Sequence, residues 1–123
     1  MKYLNEVQEE IRTDSELFFP DMADDLPHHL LGLAGEVGEV ANLVKKAQRG
    51  SEHFEDPEFY SEVVNEVVDT FIYIMSIANI LSFDMGECYD IKRTYNYTRF
   101  HPEAHFVAED EGGISGTKGP EVD

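Results

Sequence analysis

Cysteine is almost absent from this 123-residue chain: Cys88 stands alone. One thiol can form neither an intrachain disulfide nor a multi-thiolate zinc site, and it fits a reducing compartment. Basic residues are scarce as well. Nine Lys and Arg face 26 Asp and Glu, giving a formal charge of −17. Such a chain repels phosphate backbones and anionic lipid surfaces, so nucleic acid is not expected as a partner. A small phosphorylated ligand is compatible with it, because bound metal inverts the local field. Long apolar runs are also lacking. The richest, Phe71 to Leu81, is too short to span a bilayer, and the N-terminus has no signal-peptide pattern. The expectation is a cytoplasmic protein without membrane association. No internal repeat and no convincing period-two strand is present, which leaves a helical class. The length suits one domain with its own core.

What is there divides into four helical stretches. Residues 3 to 19 carry Leu4, Val7, Ile11 and Leu17 at approximate helical spacing. After the acidic, breaker-rich connector from Pro20 to Pro27, a second helix runs from about Pro27 or His28 to Arg49. Gly50 suits the position after its end, and Lys45, Lys46 and Arg49 favour the negative pole of its dipole. Asp56-Pro57-Glu58 signals the start of a third helix, continuing to about Leu81. Its apolar residues cover more than one face, which predicts burial on several sides. A chain this short offers limited cover, so a homo-oligomer is expected. Asp84-Met-Gly-Glu87 resembles a capping box and opens a fourth helix ending near Phe100. The organisation is therefore a helical bundle over 1–100 and an acidic, glycine-rich tail over 101–123, expected to be irregular.

Two carboxylate pairs stand at one-turn spacing on the middle helices, Glu36 with Glu39 and Glu66 with Asp69. Glu39 and Glu36 lie 10 and 13 residues before Arg49; Glu66 and Asp69 lie 9 and 12 residues after Pro57. At about 1.5 Å per residue, both pairs fall roughly 14–20 Å from the connector. An antiparallel hairpin brings all four acids to one level, and residues three apart share a face. Converging carboxylates repel one another. A hard, oxygen-preferring divalent cation such as Mg²⁺ removes that repulsion. Either pair alone is an ordinary surface feature of a solvated helix. Two features weaken that reading. Glu62, Asn65, Glu66 and Asp69 form a narrow polar stripe on an otherwise apolar helix. Gly32, Gly35 and Gly38 flank the first pair, although each interior helix glycine costs about 1 kcal/mol relative to alanine. Close packing or ligand access would compensate.

Gly32-Leu-Ala-Gly-Glu-Val-Gly-Glu39 with Val40-Ala-Asn-Leu-Val-Lys-Lys46, and Asn65-Glu-Val-Val-Asp69 with Phe71-Ile-Tyr73, resemble the two signatures of the MazG-like all-α nucleoside triphosphate pyrophosphohydrolases. The likeness covers roughly residues 28 to 100. It implies an oligomeric four-helix bundle, dimer or tetramer. It also implies Mg²⁺ held by Glu36, Glu39, Glu66 and Asp69, and hydrolysis of a nucleoside triphosphate to the monophosphate and pyrophosphate. Asn65 departs from the pattern, since many members have an acid there; Glu62 lies one turn earlier. Arg99-Phe100 fits the basic end of the family's last helix, whereas Tyr95 replaces a frequent lysine.

Lys92, Asn96 and Arg99 share one face and can hold a triphosphate, or simply decorate a surface helix. Lys46 shares the face of Glu39, with a dipole role as the plainer alternative. Tyr73, one turn beyond Asp69, can stack on a base or serve as a core aromatic with a wet hydroxyl. His28 and His29 precede the first motif and can approach a base or sugar; as helix-start residues they read more plainly as surface. Other functions stay open beside the main one: hydrolysis of phosphoribosyl-ATP or of a modified nucleotide, or a non-catalytic helical interaction module. A di-iron bundle expects Glu-x-x-His on its core helices, and neither motif helix has it. No nucleophilic triad and no phosphate-cradling glycine loop is evident.

Overall fold

The structure is a computed structural model and describes residues 2–101 and Glu103. These residues form four helices and no strand: α1 (Leu4–Phe18), α2 (Leu26–Gln48), α3 (Pro57–Ile80) and α4 (Met85–Phe100). The expected tail, apart from His101 and Glu103, lies outside the described residues.

Side-chain caps set three of the helix starts. Asp25, Asp56 and Asp84 take extended backbone angles, and each carboxylate accepts a backbone N–H of the following turn. The bonds are His28 N to Asp25 at 3.0 Å, Glu58 N to Asp56 at 3.0 Å and Glu87 N to Asp84 at 2.8 Å. Each satisfies an orphan amide and places negative charge at the positive pole. The second helix thus starts slightly earlier than the sequence suggests, because Asp25 caps it and Pro27 sits within its first turn.

Two helix ends are closed by the same device. After α2, Gly50 N donates to Ala47 O and Ser51 N to Lys46 O, both at 3.1 Å. After α3, Ser82 N donates to Asn79 O and Phe83 N to Ala78 O, again at 3.1 Å. These paired bonds define the Schellman motif, which needs a left-handed residue just past the helix. Gly50 takes it with φ +82°, whereas Ser82 takes it with φ +64° despite its Cβ.

The connector after α2 folds α3 back along it, and this hairpin is the most extensive helix pair. Phe59 and Leu43 are buried within the chain, and Phe59 meets Phe54 at a ring separation of 5.3 Å. Ile11, Met75 and Ala78 are the other buried apolar residues. α1 packs on α3 and α4, and α4 docks chiefly on α1. A buried amide network ties this end together. Gln8 Nε2 donates to Asn79 Oδ1 (3.1 Å) and Phe83 O (2.8 Å). Gln8 Oε1 accepts from Met85 N (3.0 Å), Asn79 Nδ2 donates to Gln8 O (3.1 Å), and Arg12 Nη2 donates to Asn79 Oδ1 (3.2 Å). Residues some 70 positions apart are thus joined by groups too well buried to go unpaired.

The burial expected for α3 on several sides is not met within one chain. Val67, Val68, Phe71, Ile72 and Ile74 stay exposed, as do Leu31 and Val37 on α2. The cause is topological: α2 and α1 cover part of α3, and α4 lies on α1. On α1 the inward face is Gln8 and Ile11, while Leu17 stays exposed. Taken whole, α3 is also long and apolar enough to cross a bilayer by length and composition. That property is shared by core helices of soluble proteins, and α3 carries Glu66 and Asp69 near its middle.

Candidate metal centre and adjoining cleft

The hairpin brings the two motifs face to face. Glu36 and Glu39 from α2 and Glu66 from α3 each offer a carboxylate oxygen, all within 4.8 Å of one another. Glu36 and Glu66 are half-buried, and Glu39 is exposed. Asp69 falls outside this triad. It is exposed on the next turn of α3, close enough for its charge to act on Glu66, and it lines a cleft beside the acids.

The carboxylates of the cluster act on one another electrostatically. A proton shared with Glu36 holds the Glu66 carboxyl above its usual range; desolvation and the charges of Glu36, Asp69 and Glu62 add to the effect. Glu36 Oε2 is fully buried and is the one such side-chain atom without a hydrogen-bond partner among the described residues. An acceptor sealed from water and lacking a donor is costly. No ion pair with Lys or Arg reaches Glu36, Glu39 or Glu66 among the described residues. Glu36, Glu39 and Glu66 are the residues that could hold a cation, which would neutralise their charge. An all-oxygen donor set suits Mg²⁺ rather than a soft metal.

Beside the acids lies a cleft of about 490 Å³ between α1, the α1–α2 connector, α2 and α3. Glu36 and Asp69 stand at its acidic end, and Phe19, Met22, Ile72 and Tyr73 supply apolar and aromatic wall. Two residues one turn apart on α2 meet Tyr73. His29 meets it edge to face at 5.9 Å, and Gly32 lies against its ring so closely that a Cβ there would come within 2.8 Å of the hydroxyl oxygen. The glycine of the first motif thus permits close helix approach here. A Cβ at Gly35 or Gly38 would meet nothing within 4 Å, so packing inside one chain does not account for those two.

His29 differs from the surface position suggested by its place at a helix start. It is only 8% exposed and lines the cleft, with Nδ1 2.9 Å from Asp25 O. His28 also lines the cleft and remains exposed. Ser15 and Ser76 line it too, and reading the motifs did not single them out. Ser76 continues the polar stripe of α3 seven residues beyond Asp69, and that periodicity was the available signal.

The phosphate candidates are not gathered here. Lys92, Asn96 and Arg99 lie on α4, away from the lining of this cleft. Lys92 sits over the Tyr95 ring at 4.9 Å and Arg99 over the Phe100 ring at 4.9 Å. Lys46 is half-buried in the last turn of α2, about 10 Å along the axis from Glu39. Compared with known proteins, the chain matches no family model, no curated protein and no solved structure.

Proposed function

We propose that the protein is a Mg²⁺-dependent nucleoside triphosphate pyrophosphohydrolase, releasing a nucleoside monophosphate and pyrophosphate. The observation that carries this reading is the convergence of Glu36, Glu39 and Glu66, the first of them with a buried, partnerless carboxylate oxygen and lining a cleft. The motif resemblance supports the same chemistry. Bound Mg²⁺ would neutralise phosphate charge and acidify a coordinated water. Glu36, Glu39, Glu66 and Asp69 are the residues proposed to hold it. Either Glu39 or Glu66 orients the attacking water and accepts its proton. The aromatic cleft positions the nucleoside, so that the α-phosphorus presents itself for in-line attack.

The proposal includes a homo-oligomer, dimer or tetramer, in the cytoplasm. The uncovered apolar residues of α2 and α3 support the association. Lys92, Asn96 and Arg99 belong to this reading only if α4 of a second copy carries them to the acids, which ties the phosphate contacts to assembly. Phosphoribosyl-ATP and modified nucleotides are the alternative substrates within the same chemistry. The exposed apolar faces also favour a second reading, a non-catalytic helical interaction module.

The test is pyrophosphate release from a panel of ribo- and deoxynucleoside triphosphates, with Mg²⁺ and with chelator. Mg²⁺-dependent monophosphate and pyrophosphate are expected, and Glu39→Gln or Asp69→Asn should abolish turnover while the oligomer stays folded. Diphosphate with orthophosphate, or undiminished activity in both variants, refutes the reading. A chain that neither turns over nor is stabilised by nucleotide with Mg²⁺ is the interaction module.

A further inference from the structure

His29 and Ser76 are buried polar residues that the acid chemistry leaves unused. His29 is 8% and Ser76 5% exposed, and both line the cleft. The carbonyl of Asp25 can only accept, so the 2.9 Å contact fixes the proton on His29 Nδ1. In the neutral ring Nε2 is then an acceptor, and it has no hydrogen-bond partner among the described residues. Ser76 is equally unusual. Thr70 and Thr98 spend their hydroxyls on the carbonyl one turn back, at 2.8 and 3.1 Å. Ser76 makes no such bond among the described residues. Neither atom is sealed off, since the single sealed and unpaired atom is Glu36 Oε2. Both residues line the cleft, and Ser76 also borders a smaller pocket beside Arg12 and Asn79.

Their placement along α3 sets the ligand's register. Ser76 lies seven residues beyond Asp69, about 10 Å along the helix. That is roughly the reach from a phosphate at the acids, across a pentose, to the edge of a base. Tyr73 lies between them, its ring met by Gly32 and His29. We infer that His29 and Ser76 are the base-reading residues of this cleft, and that the preferred nucleotide carries an exocyclic amino group on its base. A fixed acceptor at Nε2 accepts a hydrogen bond from an amine and meets the lone pairs of an oxo group instead. Ser76, whose hydroxyl both donates and accepts, contacts the neighbouring ring nitrogen. This inference rests on the pyrophosphohydrolase reading for what occupies the acidic end.

The experiment compares CTP with UTP and ATP with ITP, pairs that exchange an amino for an oxo group. Both turnover and thermal stabilisation by each nucleotide with Mg²⁺ are measured. The wild type is expected to prefer the amino member of at least one pair by about tenfold or more in kcat/KM. His29→Phe keeps a ring against Tyr73 and removes the acceptor. It should bring that ratio to within about threefold of unity, chiefly through KM for the amino member of the pair. Ser76→Ala should raise KM for the preferred base several-fold without altering the Mg²⁺ dependence, and it carries the test if His29→Phe fails to fold. No amino preference in the wild type, or a ratio unmoved by either variant, overturns the base-reading assignment while leaving hydrolysis intact. An amino preference in stabilisation without any turnover refutes hydrolysis and keeps the assignment. Neither binding nor turnover refutes both.

Discussion

Gly32 is the most demanding position in the hairpin, and replacing it with alanine tests how α2 and α3 meet. An ideal Cβ at Gly32 would fall against the Tyr73 ring, 2.8 Å from its hydroxyl oxygen and closer still to two ring carbons. The rigid ring can give way only by moving as a whole, and it also meets His29 edge to face. Overpacking of this kind costs about 1–3 kcal/mol. Alanine also recovers about 1 kcal/mol of helix propensity. Gly38→Ala isolates the second contribution, because its Cβ meets nothing within 4 Å. The difference between the two variants is then the steric cost alone. For a domain of this size each kcal/mol moves Tm by about 4–8 °C. Thermal melts followed by circular dichroism, at one protein concentration because an oligomer melts concentration-dependently, should place Gly32→Ala clearly below Gly38→Ala. Equal melting temperatures would show that the Tyr73 ring does not rest on Gly32, and the cleft wall described above would have to be redrawn.

The acid cluster makes apo stability depend on pH. The folded chain holds the Glu66 proton more tightly than the unfolded chain does, so folding takes up protons between the ordinary glutamate pKa and the raised one, and this contribution to stability falls as pH rises through that interval. Urea midpoints without metal should therefore show a destabilising component on going from acid toward neutral pH that Glu66→Gln removes; a wild type and variant with parallel profiles would contradict the shared proton. Asn79→Ala strands Gln8 and Arg12 donors at a buried junction and should cost about 2–3 kcal/mol in urea denaturation. A loss below 0.5 kcal/mol, within the ordinary range for surface substitutions, would mean that the network does not hold this end of the bundle.

Much of the fold is legible because its signals are local. Asp56 before Pro57 and Asp84 three residues before Glu87 announce helix starts, and both carboxylates make the capping bonds that such spacing implies. The convergence of Glu36, Glu39 and Glu66 follows from counting residues on either side of one connector. Periodicity is blind to which neighbour a face meets. Lys92, Asn96 and Arg99 do share a face of α4, yet α4 docks on α1 and not beside the acids. The burial of His29 depends on Tyr73 arriving from another helix, and the Gln8–Asn79 bond spans 71 positions. No local pattern encodes such distant meetings. The apolar excess of α3 and the limited cover of so short a chain were both visible, whereas which residues stay uncovered depends on where the other helices dock.

Gln8 has a consequence beyond holding two helices together. The acids sit on α2 and α3, joined by a short connector, whereas Ser15 of α1 and Phe19 and Met22 beyond it form the opposite wall of the cleft. That wall is moored to the rest through Gln8, Ile11 and Arg12. The acids and the opposite wall of the cleft are therefore carried by different segments of the chain, joined through Asn79 of α3. A substitution that slackened the mooring would therefore act first on the far wall of the cleft, and on the acids only through α3.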